Sequence, residues 1–317
     1  MRCIQIFCVV FLVHHAASAQ SSGNVFQVVP LGVRGGSDES NLSSYAVGVR
    51  GTSEYVCLDA GTIYAGIVKA VARGVWKGSP GDILKNNIKG YLISHPHLDH
   101  VSGLIMNSPE DSAKPVYGLS SCIDVLKSNY FTWKNWANFG NEGDAPALNK
   151  YTYKVLIPGA TVPLVNTQMS VTAYTLSHVN PYESTAFLIS YKDNYLLYLG
   201  DTGSDEIEKS DKLNRLWHEI SPLIREKKLK ALFIEVSFPN AQTDNLLFGH
   251  FTPQHLIKEM NKLSQITASN ALINVPIVIT HRKPAGNNEK LIREELKLAN
   301  SLKLKLIYPE QGKLLQF

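Results

Sequence analysis

Short apolar runs recur along the chain and predict β-strands. They are four to eight residues long, rich in valine, isoleucine and aromatic residues, and separated by turns with glycine. Runs of that length and composition are typical of strands. The predicted strands are Phe26–Val29, Ala46–Val49, Tyr55–Leu58, Ile88–Ile93, Val116–Leu119, Val171–Leu176, Ala186–Tyr191, Tyr195–Leu199, Leu232–Val236 and Ile277–Thr280.

A second pattern repeats apolar residues every three or four positions and predicts helices. The predicted helices are Ile63–Val75, Asp205–Ile224, Pro253–Leu263 and Glu289–Leu302, and each of the last three has an acidic residue or proline near its start. Such residues favour helix N-termini. Strands dominate the first half and alternate with helices in the second, which predicts an α/β protein.

The segment Phe131–Asn149 fits neither pattern. It holds Trp133 and Trp136 among glycine and asparagine residues, which is typical of a loop or an insertion. The chain has no internal repeat and no long linker. We therefore predict one domain over residues 20–317.

The first residues have the features of a signal peptide. Arg2 precedes an apolar run over Ile4–Val13, and Ala17-Ser18-Ala19 is a small-x-small cleavage site. The run is shorter than the roughly 20 residues that span a bilayer. We predict a signal peptide over residues 1–19 and a mature protein that starts at Gln20 and has no membrane segment. The alternative is a buried N-terminal helix or strand.

Composition narrows the class of protein. Of 317 residues, 44% are hydrophobic and 18% are charged, which is globular. The net charge is only +4 and no run of five basic residues occurs, so a polymeric nucleic acid is not the expected partner. The predicted signal implies a secreted protein. Because the signal is short and cysteines are few, we expect the bacterial periplasm.

Two cysteines, Cys57 and Cys122, remain after the predicted cleavage. An exported protein can pair them. The simpler interpretation is two separate buried thiols, because Cys57 lies in a predicted core strand. No C-x-x-C spacing indicates a cysteine metal site.

The six residues 95–100, HPHLDH, indicate a metal site. Three imidazoles and a carboxylate are crowded there, and burying them without partners would cost several kcal/mol. Imidazole and carboxylate are good zinc ligands. Residues i and i+2 of an extended chain point the same way, so His95 and His97 can share one metal, and Asp99 and His100 on the following turn can reach a second. The alternative is a histidine-rich surface turn.

Three further candidate ligands, His178, Asp201 and His281, each follow a predicted strand. One histidine at a strand end is more often a hydrogen-bonded surface residue. Three such residues after the HPHLDH cluster favour a common site, because loops at strand ends converge at one edge of a sheet.

This order of residues resembles that of the metallo-β-lactamase superfamily. The resemblance implies an αββα sandwich, in which two mixed sheets are flanked by helices and carry two metal ions at one edge. It also implies that Asp201 bridges the ions. The implied ligands are His95, His97 and His178 for the first ion and Asp99, His100 and His281 for the second.

A longer stretch, HPHLDHVSGLIMNSP over residues 95–109, resembles the signature of class II 3′,5′-cyclic-nucleotide phosphodiesterases. Leucine stands between the second histidine and the aspartate, and Ser108-Pro109 follows Gly103. Further segments fit the same family: Gly35-Gly36, NLSSY over 41–45, LDAGT over 58–62, EVSF over 235–238, HFTP over 250–253 and HRKP over 281–284.

The resemblance implies hydrolysis of cyclic AMP, cyclic GMP or both. Two metal ions neutralise phosphate oxygens and lower the pKa of a bridging water. We hypothesise that the resulting hydroxide attacks phosphorus in line with the 3′ oxygen and yields the 5′-monophosphate. Asp99 would also orient this nucleophile. Zinc suits the ligands, although iron or manganese accepts the same residues.

The 3′ alkoxide leaves with a proton, and His250 is the candidate acid. Glu235, at the end of its own strand, would hold His250 in the right tautomer. This pair resembles the histidine and glutamate of the tRNA-processing ribonucleases of the superfamily. The alternative is that His250 caps the helix at Pro253 and that Glu235 makes a structural salt bridge.

Four other residues have open roles. Lys283 either faces the phosphate or is a solvated surface lysine. Asp59 is predicted to orient a ligand histidine. Trp133 and Trp136 either stack on the nucleobase or pack their loop onto the sandwich.

Two alternatives to the phosphodiesterase interpretation remain. One is another hydrolase of the same fold, acting on a lactam, a thioester or another phosphoester. The other is a metal-binding pseudoenzyme that serves as a scaffold. The preference between cyclic AMP and cyclic GMP and the oligomeric state stay open.

Overall fold

Two mixed sheets of seven strands each stand at the centre of the computed structural model, which describes residues 23–268 and 270–317. The predicted signal peptide, residues 1–19, lies outside the described residues. The strands are β1 Phe26–Gly32, β2 Ser44–Val49, β3 Tyr55–Leu58, β4 Ile88–Leu92, β5 Lys114–Gly118, β6 Tyr151–Val155, β7 Thr161–Pro163, β8 Ser170–Ser177, β9 Glu183–Tyr191, β10 Asn194–Leu199, β11 Leu229–Glu235, β12 Pro276–Thr280, β13 Lys305–Ile307 and β14 Leu315–Gln316.

The first sheet has the order β14-β1-β2-β3-β4-β5-β6, and the second has the order β13-β12-β11-β10-β9-β8-β7. In the first sheet β3, β4, β5 and β6 run parallel, and the other neighbours are antiparallel. In the second sheet β10, β11, β12 and β13 run parallel, and β7, β8, β9 and β10 form an antiparallel meander. The parallel strands bring several carboxyl ends to a common edge.

The helices cover the outer faces of both sheets. They are α1 Tyr64–Ala72, α2 Pro80–Asn86, α3 Leu98–Asn107, α4 Ser120–Val125, α5 Asp205–Glu208, α6 Lys212–Arg225, α7 Pro253–Thr267 and α8 Asn288–Ala299. The first four pack on the first sheet, whereas α6, α7 and α8 pack on the second. The layers are therefore α, β, β and α, as the sequence predicts.

Side chains alternate between the two faces of each strand and form three apolar layers. One layer lies between the sheets, and one lies between each sheet and its helices. In β11, Phe233 faces the other sheet while Leu232 and Ile234 face the helices. In β4, Leu92 likewise faces the other sheet, whereas Tyr91 faces the helices. Successive side chains of a strand point to opposite faces, so a strand that is covered on both sides is apolar throughout.

All ten predicted strands are present, and most of them have ends shifted by a few residues. The helix predicted over Asp205–Ile224 is interrupted, because Lys209 adopts a left-handed conformation with φ of 51°. The Asp205 carboxylate accepts hydrogen bonds from the backbone N–H groups of Leu213 and Asn214 at the start of α6. Asp205, the first residue of α5, therefore also caps the start of α6 with its side chain.

The segment Phe131–Asn149 is irregular, as predicted. The Trp136 indole N–H donates to Ser108 Oγ at 3.0 Å, and the ring packs against the helix-covered core of the first sheet. The Trp133 indole N–H donates to the Pro146 carbonyl. The contacts of Trp136 support the packing interpretation for that residue, whereas Trp133 is partly exposed and contacts its own loop.

Cys57 and Cys122 are both buried and free. They belong to the core between the first sheet and its helices. This arrangement agrees with two separate buried thiols. Within the described part of the chain, every helix falls short of the length and hydropathy that crossing a bilayer requires.

Candidate active site

The candidate residues meet where the strands of both sheets end. Asp201, Glu235 and His281 stand at the carboxyl ends of the neighbouring parallel strands β10, β11 and β12. Asp59 and His95 follow the parallel strands β3 and β4 of the other sheet. Sites in α/β proteins form at such carboxyl ends because the loops there converge.

Asp99 and His100 lie in the first turn of α3, not on a loop as predicted. His97 precedes this helix with extended backbone. The helix was missed because half of its first turn is polar and its N-cap is histidine, not Ser, Thr, Asn or Asp. The three consecutive residues Leu98, Asp99 and His100 thereby point in different directions around the helix axis.

A first group of candidate ligands consists of His95, His97 and His178. One ring nitrogen of each lies within 4.8 Å of the others. His178 Nε2 is 3.4 Å from His97 Nδ1. His95 Nε2 is buried and has no hydrogen-bond partner among the described residues. A buried ring nitrogen without a partner is unfavourable, and a cation would satisfy it.

A second group consists of Asp99, His100, Asp201 and His281. His281 Nε2 lies 3.1 Å from Asp99 Oδ2 and 3.0 Å from Asp201 Oδ2. His100 Nε2 lies 3.1 Å from Asp201 Oδ2. Mixed imidazole and carboxylate donors at this spacing suit a divalent metal.

Asp201 lies close to both groups of candidate ligands. Its Oδ2 atom is also 3.9 Å from His95 Nε2, the unpartnered atom of the first group. The side chain is buried, and although burial raises its pKa, the nearby imidazoles of His100 and His281 outweigh this effect and lower it. Asp201 is therefore a carboxylate that joins the two groups.

Two serines fix the orientation of ligand rings. The Ser94 hydroxyl donates to Asp59 Oδ2 at 2.8 Å, so its oxygen accepts from His95 Nδ1 at 3.0 Å. In the same way, the Ser237 hydroxyl donates to Glu235 Oε2 at 2.6 Å and accepts from His281 Nδ1 at 2.9 Å. Each ring thus keeps the lone pair of Nε2 free for a metal.

His178 and His100 are oriented by other acceptors. His178 Nδ1 donates to the Gly249 carbonyl at 2.9 Å, and His100 Nδ1 donates to Asp59 Oδ2 at 2.7 Å. Asp59 also accepts from the Ser94 N–H and the Tyr198 hydroxyl. Asp59 therefore contacts a candidate ligand histidine, the position that the sequence predicts for it.

Burial favours the neutral form of the first group. It lowers the pKa of His95, and it lowers the pKa of His178 to about 4. For His100, burial acts in the same direction, but the carboxylates of Asp201, Asp59 and Asp99 raise its pKa above the ordinary value. Neutral imidazoles beside this group of carboxylates fit a divalent cation.

Strained and crowded backbone holds two of these ligands. His281 has φ of 52°, in the left-handed region that non-glycine residues rarely adopt. A Cβ atom at Gly35 would lie 2.0 Å from the His281 ring, and a Cβ atom at Gly249 would lie 2.5 Å from His178 Nδ1. Only glycine leaves room for the ligand rings at these two positions.

The family model of class-II cAMP phosphodiesterases matches residues 81–312. The chain belongs to the class-II cAMP phosphodiesterase family. A 3′,5′-cyclic-nucleotide phosphodiesterase of Aliivibrio fischeri is 41% identical over an alignment that covers 95% of this chain and 94% of that protein.

Two solved structures show the fold of this class-II family member. Unliganded yeast PDE1 has a TM-score of 0.81 at 23% identity, covering 93% of this chain and 100% of that chain. The metallo-β-lactamase fold protein YhfI of Bacillus subtilis has a TM-score of 0.63 at 15% identity, with the same coverage. The predicted metallo-β-lactamase fold is confirmed.

Ser108 and Pro109, the last two residues of the class-II signature, have structural roles. The Ser108 hydroxyl donates to the Ile105 carbonyl and accepts from the Trp136 indole. The carbonyl groups of Ser108 and Pro109 both accept from Lys150 Nζ. The signature therefore joins the end of α3 to the irregular segment 131–149.

His250 and Glu235 form a buried pair beside the ligand groups. His250 Nδ1 lies 2.8 Å from Glu235 Oε1, and the His250 ring stacks on His281 with centroids 5.1 Å apart. Burial raises the pKa of Glu235 to about 8 and lowers the pKa of His250 to about 3. The carboxylate contacts the histidine that the sequence assigns to it.

A cavity of about 710 Å³ opens beside Asp99. Lys283 is the only cationic side chain among the described residues that line it. Lys283 Nζ lies 5.4 Å from the centre of the Phe238 ring, which helps to hold the ammonium group on this side. Tyr64, Leu98 and Met106 form an exposed apolar part of the wall. Trp133 and Trp136 are not part of this cavity.

Several supporting residues were not predicted from the sequence. Ser94 is adjacent to a candidate ligand, and Ser237 lies in the EVSF segment, so their positions carried a weak signal. Tyr198 looks like an ordinary apolar residue of β10. Its hydroxyl reaches Asp59 across the interface between the two sheets, which strand patterns do not reveal.

Proposed function

We propose that this chain hydrolyses 3′,5′-cyclic nucleotides to 5′-monophosphates with two divalent metal ions, which we take to be zinc. The observation that carries the proposal is the 710 Å³ cavity, which has Asp99 and Lys283 on its polar side and an apolar wall beside them. A cyclic nucleotide needs these features together: a metal centre and a cation for its phosphate, and an apolar surface for its base.

The candidate ligand sets support two ions. His95, His97 and His178 would hold one ion, and Asp99, His100 and His281 would hold the other, with Asp201 between them. Imidazole nitrogens dominate the first set, which favours zinc over magnesium or calcium. When bound, two such ions neutralise charge on a phosphoryl group and make water a nucleophile near neutral pH.

The hydrolysis has a simple balance of bonds. Water adds its oxygen to phosphorus, the bond from phosphorus to the 3′ oxygen breaks, and the 3′ oxygen leaves with a proton. Asp99 has one carboxylate oxygen 3.1 Å from His281 Nε2, and this oxygen also accepts from the Gly36 N–H at 3.0 Å. Its side chain is therefore fixed where it can orient water.

His250 is the candidate donor of the proton to the 3′ oxygen. Its Nδ1 atom is engaged by Glu235, so Nε2 is the ring nitrogen left for the substrate. Glu235 is held in turn by the Ser237 hydroxyl. Because the pKa of Glu235 is raised to about 8, its carboxyl group can carry a proton near neutral pH and donate to His250 Nδ1, which puts the proton of the neutral ring on Nε2, where the 3′ oxygen can receive it.

Lys283 and the apolar wall would position the substrate. The ammonium group of Lys283 suits one phosphate oxygen, and a purine ring suits the exposed surface of Leu98 and Met106.

The test is incubation of the purified protein with cyclic AMP and cyclic GMP in water enriched in ¹⁸O. Formation of 5′-monophosphate with one ¹⁸O on phosphorus is the expected result. Absence of monophosphate, together with turnover of a lactam or a thioester, would identify another hydrolase of the fold. Absence of all turnover in metal-loaded protein would support a scaffold.

We also propose that residues 1–19 are a signal peptide and that the protein is secreted, with the bacterial periplasm as its compartment. The order of Arg2, the apolar run and Ala17-Ser18-Ala19 supports this. N-terminal sequencing of protein recovered from the periplasmic fraction is the test. A start at Gln20 is expected, whereas an intact Met1 in the cell lysate would contradict the proposal.

A further inference from the structure

A second cavity, of about 480 Å³, lies beside the start of the segment that follows His281. Five cationic side chains and two carboxylates line it. The cations are Arg34, Lys69, Arg73, Arg282 and Arg293, and the carboxylates are Glu289 and Glu310. The lining thus has an excess of three positive charges.

Consecutive residues face the two cavities. Arg282 lines the second cavity and Lys283 lines the active-site cavity. Arg282 forms an isolated β-bridge with Arg34, and neighbouring side chains of a chain bridged in this way point to opposite sides. The second cavity is therefore a separate place that the proposed phosphodiesterase reaction does not use.

Arg282 is buried and incompletely satisfied. Its Nη1 atom donates to the Ile279 carbonyl at 2.7 Å, but Nε has no hydrogen-bond partner among the described residues. The nearest carboxylate oxygen, Glu289 Oε1, is 3.5 Å away. A buried guanidinium with an unused N–H is unfavourable unless an acceptor fills the gap.

Glu289 cannot satisfy Arg282 fully because it also binds Arg34. Arg34 donates through Nε at 3.3 Å and through Nη2 at 2.8 Å to the two Glu289 oxygens. Arg34 has a further carboxylate partner, Asp38, at 2.7 Å. The carboxylates in this part of the cavity therefore neutralise mainly Arg34.

Arg293 increases the surplus of positive charge. Its guanidinium lies 4.6 Å from the centre of the Tyr308 ring, and that of Arg282 lies 5.7 Å from the same ring. Within the described residues, Arg293 has no carboxylate within 4.0 Å. Burial lowers the pKa of Arg282, and the like charge of Arg293 acts in the same direction.

The remaining two cations are weakly neutralised. Lys69 Nζ donates to the neutral amide oxygen of Gln311 at 2.6 Å. Arg73 Nη2 lies 3.6 Å from Glu310 Oε2, and both side chains are about half exposed. An exposed ion pair contributes little and a neutral amide leaves the charge of Lys69 unbalanced, so both cations stay available to a ligand.

We propose that this second cavity binds a small dianion of the phosphate class. Guanidinium groups match phosphate oxygens with paired N–H donors, and four arginines from different segments surround one space. The ligand is either inorganic phosphate or the phosphate group of an ester. It would lie against Arg282 and Arg73 and balance the charge of Arg293.

The test is equilibrium dialysis of the metal-loaded protein against labelled inorganic phosphate. The variant R293Q is compared with the control R215Q, which removes an equal charge from an exposed arginine paired with Asp211 on α6. We expect R293Q to bind one saturable phosphate fewer per chain, or to bind it about tenfold more weakly, than R215Q. Any phosphate held at the catalytic centre cancels in this comparison.

The variant R73Q provides a second, independent change on a different element, at the end of α1. It should weaken the same phosphate site, so the test does not depend on the folding of R293Q. Equal phosphate binding by R293Q, R73Q and R215Q would overturn the proposal, as would binding that never saturates. Both variants should retain wild-type turnover of cyclic AMP, so failure here is distinct from failure of the proposed function.

Competition with adenosine 5′-monophosphate distinguishes the two sources of phosphate. Displacement of labelled phosphate from the site that R293Q removes would assign the site to phosphate esters. Retention of the label would assign the site to inorganic phosphate.

Discussion

His250 Nδ1 lies 2.8 Å from Glu235 Oε1, and Glu235 Oε2 accepts a hydrogen bond from Ser237, whose oxygen contacts His281 Nδ1. A continuous series of hydrogen bonds thus connects the candidate proton donor to a candidate metal ligand. Every member of the series is buried. The orientation of the His250 ring is consequently set by the same groups that set the orientation of His281.

Replacement of His250 tests its role as proton donor. H250A should lower kcat for a cyclic nucleotide by about 10²-fold to 10⁴-fold, because general acid catalysis contributes that much. The metal content should stay at the wild-type value, because His250 Nδ1 is engaged by Glu235. H255A is a matched control, since His255 lies five residues further on and contacts Thr252 and Asp244.

Two results would contradict this role of His250. Unchanged turnover by H250A would show that the proton comes from elsewhere. Loss of metal from H250A would show that His250 is a ligand, since a ring nitrogen of His250 also lies close to a ring nitrogen of His178 and a carboxylate oxygen of Asp201.

Asp59 should be important for stability as well as for metal binding. Its carboxylate accepts from the Ser94 N–H and hydroxyl, the Tyr198 hydroxyl and His100 Nδ1. D59A leaves these buried donors without an acceptor, at about 1–3 kcal/mol for each unsatisfied group. We expect the free energy of unfolding in urea to fall by at least about 3 kcal/mol in metal-free protein.

Y198F is the graded comparison for D59A. It removes only one of the hydrogen bonds to Asp59 and should lower the free energy of unfolding by about 1 kcal/mol. If D59A were no less stable than Y198F, Asp59 would not be the centre of this network.

The sequence predicts the strands well because most of them are covered on both sides. A strand such as β3, Tyr55–Leu58, is a short apolar run that no helical pattern matches, and its predicted and observed ends coincide. The helix α2 was missed although Ser79 caps it, Pro80 begins it and Asp82 lies in its first turn. Its seven residues are too few to display a clear helical period.

Residue types and strand ends predict which side chains form the metal-binding region, but not the contacts that support them. His178, Asp201 and His281 follow recognisable strands, so their convergence can be expected. The contacts of Tyr198 with Asp59 and of Gly35 with the His281 ring join distant segments. Nothing local in the sequence marks these contacts, because they depend on how the two sheets pack.

The two buried cysteines should not react in the folded protein. Burial raises the pKa of Cys57 to about 12 and raises that of Cys122 as well. Protein that lacks residues 1–19 should therefore resist a thiol reagent at pH 8 and react at both cysteines after unfolding in urea. Rapid modification of either cysteine in folded protein would contradict this expectation.

The same shifts predict a loss of stability in alkali. An unfolded thiol ionises near pH 8.5, whereas the buried thiols remain protonated. Their contribution to stability is complete below about pH 8.5, and for Cys57 it is lost as the pH rises toward about 12. The free energy of unfolding in C57A should depend less on pH in this range than that of the wild-type protein.

Lys283 should contribute to substrate binding. K283A removes the only cation from the described lining of the active-site cavity, so kcat/KM for a cyclic nucleotide should fall about tenfold or more. K290A is the matched control, because Lys290 is an exposed lysine on α8. Equal kcat/KM values for the two variants would identify Lys283 as a solvated surface lysine.

The central claim is that this chain hydrolyses cyclic nucleotides with metal ions bound by two groups of ligands, which Asp201 connects. The most direct measurement is stepwise return of zinc to chelator-treated protein, with adenosine 5′-monophosphate formation and bound metal determined in the same samples. We predict no activity without metal, a rise to a plateau at two zinc ions per chain, and little recovery in D201N. The exposed variant D193N should recover like the wild-type protein. Full activity in metal-free protein, or no cyclic AMP turnover at two zinc ions per chain, would contradict the claim.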